Sequence, residues 1–133
     1  MRFAVDRLDH VVLHCRDIER MASWYQRVLG MEREEFGNER RTALKFGGQK
    51  LNLRPIAADP DDWITSATAP AGSADFCFIT AVGSEETAAH LRACGVAVEL
   101  GPIPRTGALG QMSSVYCRDP EGNLVEIATY LAR

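Results

Sequence analysis

The stretch Arg7-Leu8-Asp9-His10-Val11-Val12-Leu13-His14-Cys15, running through Asp17 to Gly30, decides the fold. Its first nine residues read as a strand rich in β-branched and aliphatic side chains. Beyond Asp17, apolar residues stand at Ile18, Met21, Ala22, Tyr25, Val28 and Leu29, the stripe of an amphipathic helix. Asp17 supplies an N-cap, and Gly30 the left-handed residue that closes the helix. Three more strands are expected at 31–36, 41–46 and 49–54, divided by Gly37-Asn38 and Gly47-Gly48.

The same order returns after a break. Residues 74–81 read as a strand. Ser84, followed by Glu85 and Glu86, opens a second helix with acids in the turn that its dipole favours. Leu91 and Cys94 lie on its apolar side, and Gly95 closes it. Strands follow at 96–100, 112–118 and 123–130. Gly95 stands 65 residues after Gly30, and Asp75 stands 65 after His10. A repeat at a fixed offset implies two copies of one unit. Each copy reads β-α-β-β-β. The expected fold is α+β, paired βαβββ modules forming an incomplete eight-stranded barrel. Residues 1–133 are one domain, with a first module over 7–54, a linker over 55–73 and a second module over 74–131.

The linker holds Pro55, Pro60, Pro70 and Gly72 with Asp59, Asp61 and Asp62. One short helical turn is expected at 61–65, with Trp63 and Ile64 packed on the surface. Residues 101–111, with three glycines and two prolines, read as a mobile-looking loop, either a plain connection or a lid that carries Arg105.

Composition narrows the function. The chain has 133 residues, 46% hydrophobic and 25% charged, with a net charge of -3. Those values suit a globular domain and argue against a nucleic-acid partner. No apolar run approaches ~18 residues, so no membrane span is expected. The first residues lack the apolar core of a signal peptide, and Cys15, Cys77, Cys94 and Cys117 form no Cys-x-x-Cys pair. A cytoplasmic protein with free thiols is the expectation.

Strand alternation gathers the polar residues. His10 opposes Val11 and Leu13 across its strand. Asn52 and Arg54 oppose Leu51 and Leu53. Asp75 and Cys77 oppose Phe76 and Phe78, and Glu126 opposes Val125 and Ile127. With the bulky sets facing the helices, His10, Asn52, Arg54, Asp75 and Glu126 fall on the other side, in one concavity.

Three strings carry a family resemblance: Leu8-Asp9-His10-Val11-Val12, then Trp24-Tyr25-Gln26-Arg27-Val28-Leu29-Gly30-Met31, then Arg118-Asp119-Pro120-Glu121-Gly122-Asn123-Leu124-Val125-Glu126-Ile127. The chain resembles the vicinal oxygen chelate superfamily of glyoxalase I, extradiol dioxygenases and fosfomycin- and bleomycin-resistance proteins. Around residues 101–107 it is similar to the glyoxalase domain-containing protein 5 subgroup. The resemblance implies metal ligands at His10, Asp75 and Glu126, with Glu126 also a catalytic base. It puts Asn52 where glyoxalase I has a Glu. It implies one divalent ion (Mn, Ni, Zn, Fe, Co or Mg) and a homodimer. Arg54 and Arg105, with Asn52, are read as the substrate contacts.

These residues depart from each well-known activity. Asn52 removes one of the two carboxylates that glyoxalase I uses. Asp75 stands where dioxygenases and fosfomycin-type transferases have a His. The expectation is a metal-dependent enzyme acting on a small oxygenated, anionic substrate. The alternative is a metal-free small-molecule binding or sequestering protein of the bleomycin-resistance type.

Overall fold

The computed structural model describes residues 2–131 and divides into two compact units, Met1–Pro70 and Ala71–Arg133. The first unit runs β1 (His10–Cys15), α1 (Ile18–Leu29), β2 (Glu32–Phe36), β3 (Arg41–Phe46) and β4 (Gln49–Pro55). The second runs β5 (Asp75–Ile79), α2 (Ser84–Ala93), β6 (Leu100–Gly107), β7 (Gly110–Arg118) and β8 (Leu124–Tyr130). Each is βαβββ, as the repeat predicts. The sheet orders match, β1-β4-β3-β2 and β5-β8-β7-β6. In each sheet the first and last strands of the unit pair in parallel and the other pairs are antiparallel.

Helix α1 forms for the reasons legible in its sequence. Asp17 accepts from the Arg20 amide at 3.0 Å, and Gly30 sits at φ +67 with its amide on the Gln26 carbonyl. Met21, Ala22, Trp24, Tyr25 and Val28 are buried. The large apolar side chains buried from the sheet of that unit include Leu13, Leu44, Leu51 and Leu53, with Cys15 beside them. Each large apolar side chain so buried contributes about 1.5–3 kcal/mol over its exposed state. Trp24 joins the buried set beside Tyr25, their rings edge to face at 4.8 Å. In the second unit Ala88 and Leu91 of α2 are buried, as are Val115, Cys117, Val125 and Ile127 of the sheet. Helix α2 has Gly83 as its N-cap with no side-chain bond, and the Ser84 hydroxyl meets that of Ser113 at 2.6 Å.

Four expectations are corrected. Residues 101–107 are no loop: they form β6, paired with β7 through Ile103, Pro104, Arg105 and Thr106, while 96–99 lie outside any strand. Two prolines are tolerated there because β6 is the edge strand, where missing N–H donors cost no ladder bond. Gly101 is required beside them, since a Cβ would stand 2.3 Å from the Ser114 carbonyl oxygen. Residues 61–65 form no helix. The Asp62 and Trp63 amides both bond the Asp59 carbonyl in one isolated turn. Trp63 is half-buried, but Ile64 is 88% exposed rather than packed. Among the described residues no helix is long and apolar enough to cross a membrane, which leaves membrane β-barrels unaddressed.

Candidate functional site

The Asp119-Pro120-Glu121-Gly122-Asn123 turn aims β8. Asp119 is buried, and its Oδ1 accepts from the amides of Glu121 and Asn123 at 2.9 and 3.1 Å. Its Oδ2 accepts from the Asn123 side-chain amide at 2.7 Å. Asn123 Oδ1 in turn accepts from the Ala74 amide at 2.9 Å, one residue before β5. Gly122 takes φ +93, and Gly72 lies so close that a Cβ would be 2.4 Å from the Glu121 carbonyl. The turn thus fixes β8 against β5, and with it the position of Glu126.

One face of the second sheet then reads as a grid. The pairings place Tyr116, Glu126 and Cys77 in one row across β7, β8 and β5. The next row is Ile103, Ser114, Ala128 and Ile79, and the one beyond is Arg105, Met112 and Tyr130. Ser113, one residue off on β7, meets α2, so this grid lies on the face turned away from the helix. A pocket of about 330 Å³ opens on it, lined by Cys77, Ile79, Arg105, Thr106, Gly107, Ala108, Met112, Glu126 and Tyr130.

Charges in the pocket are held in place. Arg105 donates from Nε to the Tyr116 hydroxyl at 2.9 Å and from Nη1 to the Pro104 carbonyl at 3.1 Å. Its guanidinium carbon lies 5.5 Å from the Tyr116 ring centre. The Cys77 thiol is pushed up to about 11, by burial first and then by the charge and hydrogen bond of Glu126. Near neutral pH it is therefore a thiol and not a nucleophilic thiolate. Tyr130 Oη accepts from the Leu109 amide at 3.1 Å and pins the β6–β7 turn. Asp75 shares the face, one step along β5 from Cys77, and acts electrostatically on Arg118, whose main partner is Glu99 at 2.8 Å.

In the first unit the register pairs His10 with Lys50, Val12 with Asn52 and His14 with Arg54, so His10, Asn52 and Arg54 do share one face. His10 Nδ1 lies 2.9 Å from Asp9 Oδ2, which leaves Nε2 facing away from that contact. Asp9 is held below the usual carboxylate range by the same bond. Asn52 is 6% exposed and its Oδ1 has no partner. Arg54 is the correction. It is 2% exposed, and its guanidinium donates to the carbonyls of Pro55 at 3.4 Å, Ala58 at 3.1 Å and Trp63 at 2.9 Å. A planar fork of five donors suits a loop that turns three carbonyls inward, and the guanidinium is engaged with that loop. His14 is lowered by burial and then by the Arg54 charge, and its Nε2 lies 2.7 Å from the Thr65 hydroxyl.

The structure thus brings Glu126 and Arg105 to one pocket, and His10, Asn52 and Arg54 to one face of the other unit. Among the described residues no three His, Cys, Asp or Glu side chains form a metal-binding group. Tyr130, Met112 and Gly107 line the pocket without having been singled out from the sequence. The alternation of 110–118 against 124–130 places Met112 and Tyr130, and Gly107 ends β6, which the sequence reads as a loop.

The sequence profile of the Glyoxalase/Bleomycin resistance protein/Dioxygenase superfamily matches residues 7–127. A virulence protein, STM3117, of Salmonella typhimurium is 38% identical over 131 residues, 98% of this chain and 89% of its own length. An integron cassette protein from V. cholerae, VCH_CASS1, superposes with a TM-score of 0.93 at 40% identity, covering 98% of this chain and all of its own. Lactoylglutathione lyase from Agrobacterium tumefaciens superposes at 0.72 with 25% identity, covering 94% of each chain. The chain belongs to the Glyoxalase/Bleomycin resistance protein/Dioxygenase superfamily.

Proposed function

We propose that this member of the superfamily is an enzyme that binds a small oxygenated anion in the pocket of its second unit and acts on it with one divalent metal ion. The observation that carries the reading is a base and a cation in one pocket, neither neutralising the other. Arg105 bonds Tyr116 and the Pro104 carbonyl, while Glu126 sits against Cys77. An anionic group pairs with Arg105 in the bidentate manner guanidinium favours. Glu126, across the pocket, takes a proton from a carbon or hydroxyl of the same molecule. The neutral Cys77 thiol lends it a weak donor.

For the metal, the proposed ligands are His10, Asp75 and Glu126. His10 has one ring nitrogen against the Asp9 carboxylate, the arrangement that orients a metal-binding histidine. Asp75 and Glu126 add carboxylates, and Asn52 brings a buried side-chain oxygen without a partner. Such an oxygen-and-imidazole set suits Mn²⁺, Fe²⁺, Co²⁺, Ni²⁺, Zn²⁺ or Mg²⁺. When bound, the ion supplies Lewis-acid polarisation of substrate oxygens. We assign the protein to a homodimer and, with four free cysteines, to a reducing cytoplasm.

Calorimetry of the untagged protein with Mn²⁺, Co²⁺, Ni²⁺ and Zn²⁺ near neutral pH tests the metal. One ion bound per chain, lost in Glu126→Gln and His10→Ala, is expected. A protein that binds none of them is a metal-free small-molecule binder instead.

A further inference from the structure

Ser114 is fully buried in β7, and its hydroxyl has no hydrogen-bond partner. An orphaned buried hydroxyl has given up its water without a replacement partner, which destabilises the fold. Ala128 stands directly opposite it on β8 and offers the hydroxyl no side-chain partner. The grid locates it. Ser114 and Ala128 form a row of small side chains between Met112–Tyr130 on one side and Tyr116–Glu126 on the other. Arg105 starts opposite Met112 yet bonds Tyr116, four residues along β7 on the same face. The Arg105–Tyr116 bridge therefore spans the Ser114 position.

We propose that Ser114 is a ligand-binding residue of the second-unit pocket, held covered by the Arg105–Tyr116 bridge until an oxyanion draws the guanidinium away. This rests on the anion reading of that pocket and extends it. Arg105 supplies the charge, and the Ser114 hydroxyl donates to a second oxygen of the same carboxylate or phosphoryl group. Moving Arg105 also frees the Tyr116 phenol from the guanidinium, so a third polar group faces the same anion. The ligand class is thus a compact oxyanion with at least two oxygens within reach of adjacent strands. The Ser114 hydroxyl has no protein partner, so its cost is recovered only on binding.

That asymmetry yields a test that a structural role cannot imitate. The untagged 133-residue chain is titrated with inorganic phosphate, read by calorimetry and by thermal unfolding, in wild type, Ser114→Ala and Arg105→Gln. Wild type is expected to bind phosphate and melt higher in its presence. Arg105→Gln is expected to lose that binding. Ser114→Ala is expected to melt at or above wild type without phosphate, since it removes the orphaned group, while its phosphate affinity falls about tenfold or more. If Ser114→Ala melts clearly lower without phosphate, its hydroxyl has a structural partner and the inference is overturned. It is overturned alone if phosphate binding depends on Arg105 but is untouched by Ser114→Ala. Should wild type fail to bind, or bind equally well in Arg105→Gln, the anion reading of the pocket falls and this inference with it.

Discussion

Arg54 holds Trp63: its Nη2 donates to the Trp63 carbonyl at 2.9 Å, and its guanidinium carbon lies 5.7 Å from the indole ring centre. Arg41 covers the same ring at 4.0 Å and donates to the Asp62 carbonyl. Two cations thus fasten one tryptophan and the loop on either side of it, so the Pro- and Asp-rich segment after β4 is an ordered cover for the end of the first sheet.

Arg54→Ala leaves the Ala58 and Trp63 carbonyls without their donor and opens a gap where a long side chain was buried. Unfolding in urea should show a loss of about 2–4 kcal/mol. Arg54→Lys should recover only part, because one ammonium cannot serve three carbonyls in a plane. Proteolysis between residues 56 and 65 should quicken in both variants. Unchanged stability in Arg54→Ala would remove the loop-clamp role.

The Asp119–Asn123 pair makes a second prediction. Asp119→Ala strips acceptors from the amides of Glu121 and Asn123 and from the Asn123 side chain. All are buried or half-buried, so a loss of about 2–4 kcal/mol is expected. Asn123→Asp should also destabilise, because it sets two carboxylates 2.7 Å apart where an amide now donates. Denaturation midpoints check both, and a midpoint equal to wild type in either would deny the turn its structural role.

How much of this was legible beforehand depends on which link carried the signal. The two βαβββ units were, because Asp17, Gly30 and the repeat at Gly95 are local features that act the same way in any context. The shared face of His10, Asn52 and Arg54 was, because period-2 alternation needs no tertiary information. The destination of Arg54 was not. Its partners are main-chain carbonyls of a loop, and a carbonyl leaves no mark in the residue type. Strand β6 was missed because Pro102 and Pro104 argue against a ladder, and only the sheet order reveals that they sit on an edge. Ser114 carries no mark in the sequence, since an orphaned hydroxyl is a property of surroundings and not of residue type.

Gly107 predicts how tightly the pocket end is built. A Cβ there would stand 2.5 Å from Met112 Sδ and 2.7 Å from Tyr130 Oη. Gly107→Ala must push one of these aside, and the phenol that bonds Leu109 is the less free. The β6–β7 turn should loosen, with faster amide exchange at Leu109, and the pocket should shrink. Tyr130→Phe should reproduce the exchange effect without the narrowing. Protection at Leu109 equal to wild type in both would show that Tyr130 does not pin the turn.

The thiols set the behaviour at high pH. Burial, followed by the charges of Asp119 and Glu99, raises Cys117 from 9.0 to about 11, and Cys77 rises as far through burial and Glu126. Each group keeps its proton in the folded chain at a pH where the unfolded chain has lost it. The folded state therefore binds more protons between about pH 9 and 11, and stability falls as pH rises through that window. Below pH 9 the contribution is fully present. For the wholly buried Cys117 the loss is on the order of 2–3 kcal/mol by pH 11. Cys117→Ala should flatten the decline, whatever it costs at neutral pH. Cys77 allows a separate check by alkylation, because it is exposed to reagent. Iodoacetamide should label it slowly at pH 8 and faster as pH climbs toward 11. Glu126→Gln removes the negative charge beside it and should speed labelling at pH 8 several-fold, though not to the rate of a free thiol, since burial is the larger cause. A labelling rate at pH 8 that does not respond to Glu126→Gln would separate Cys77 from Glu126 and undo the pairing on which their shared place in the pocket rests.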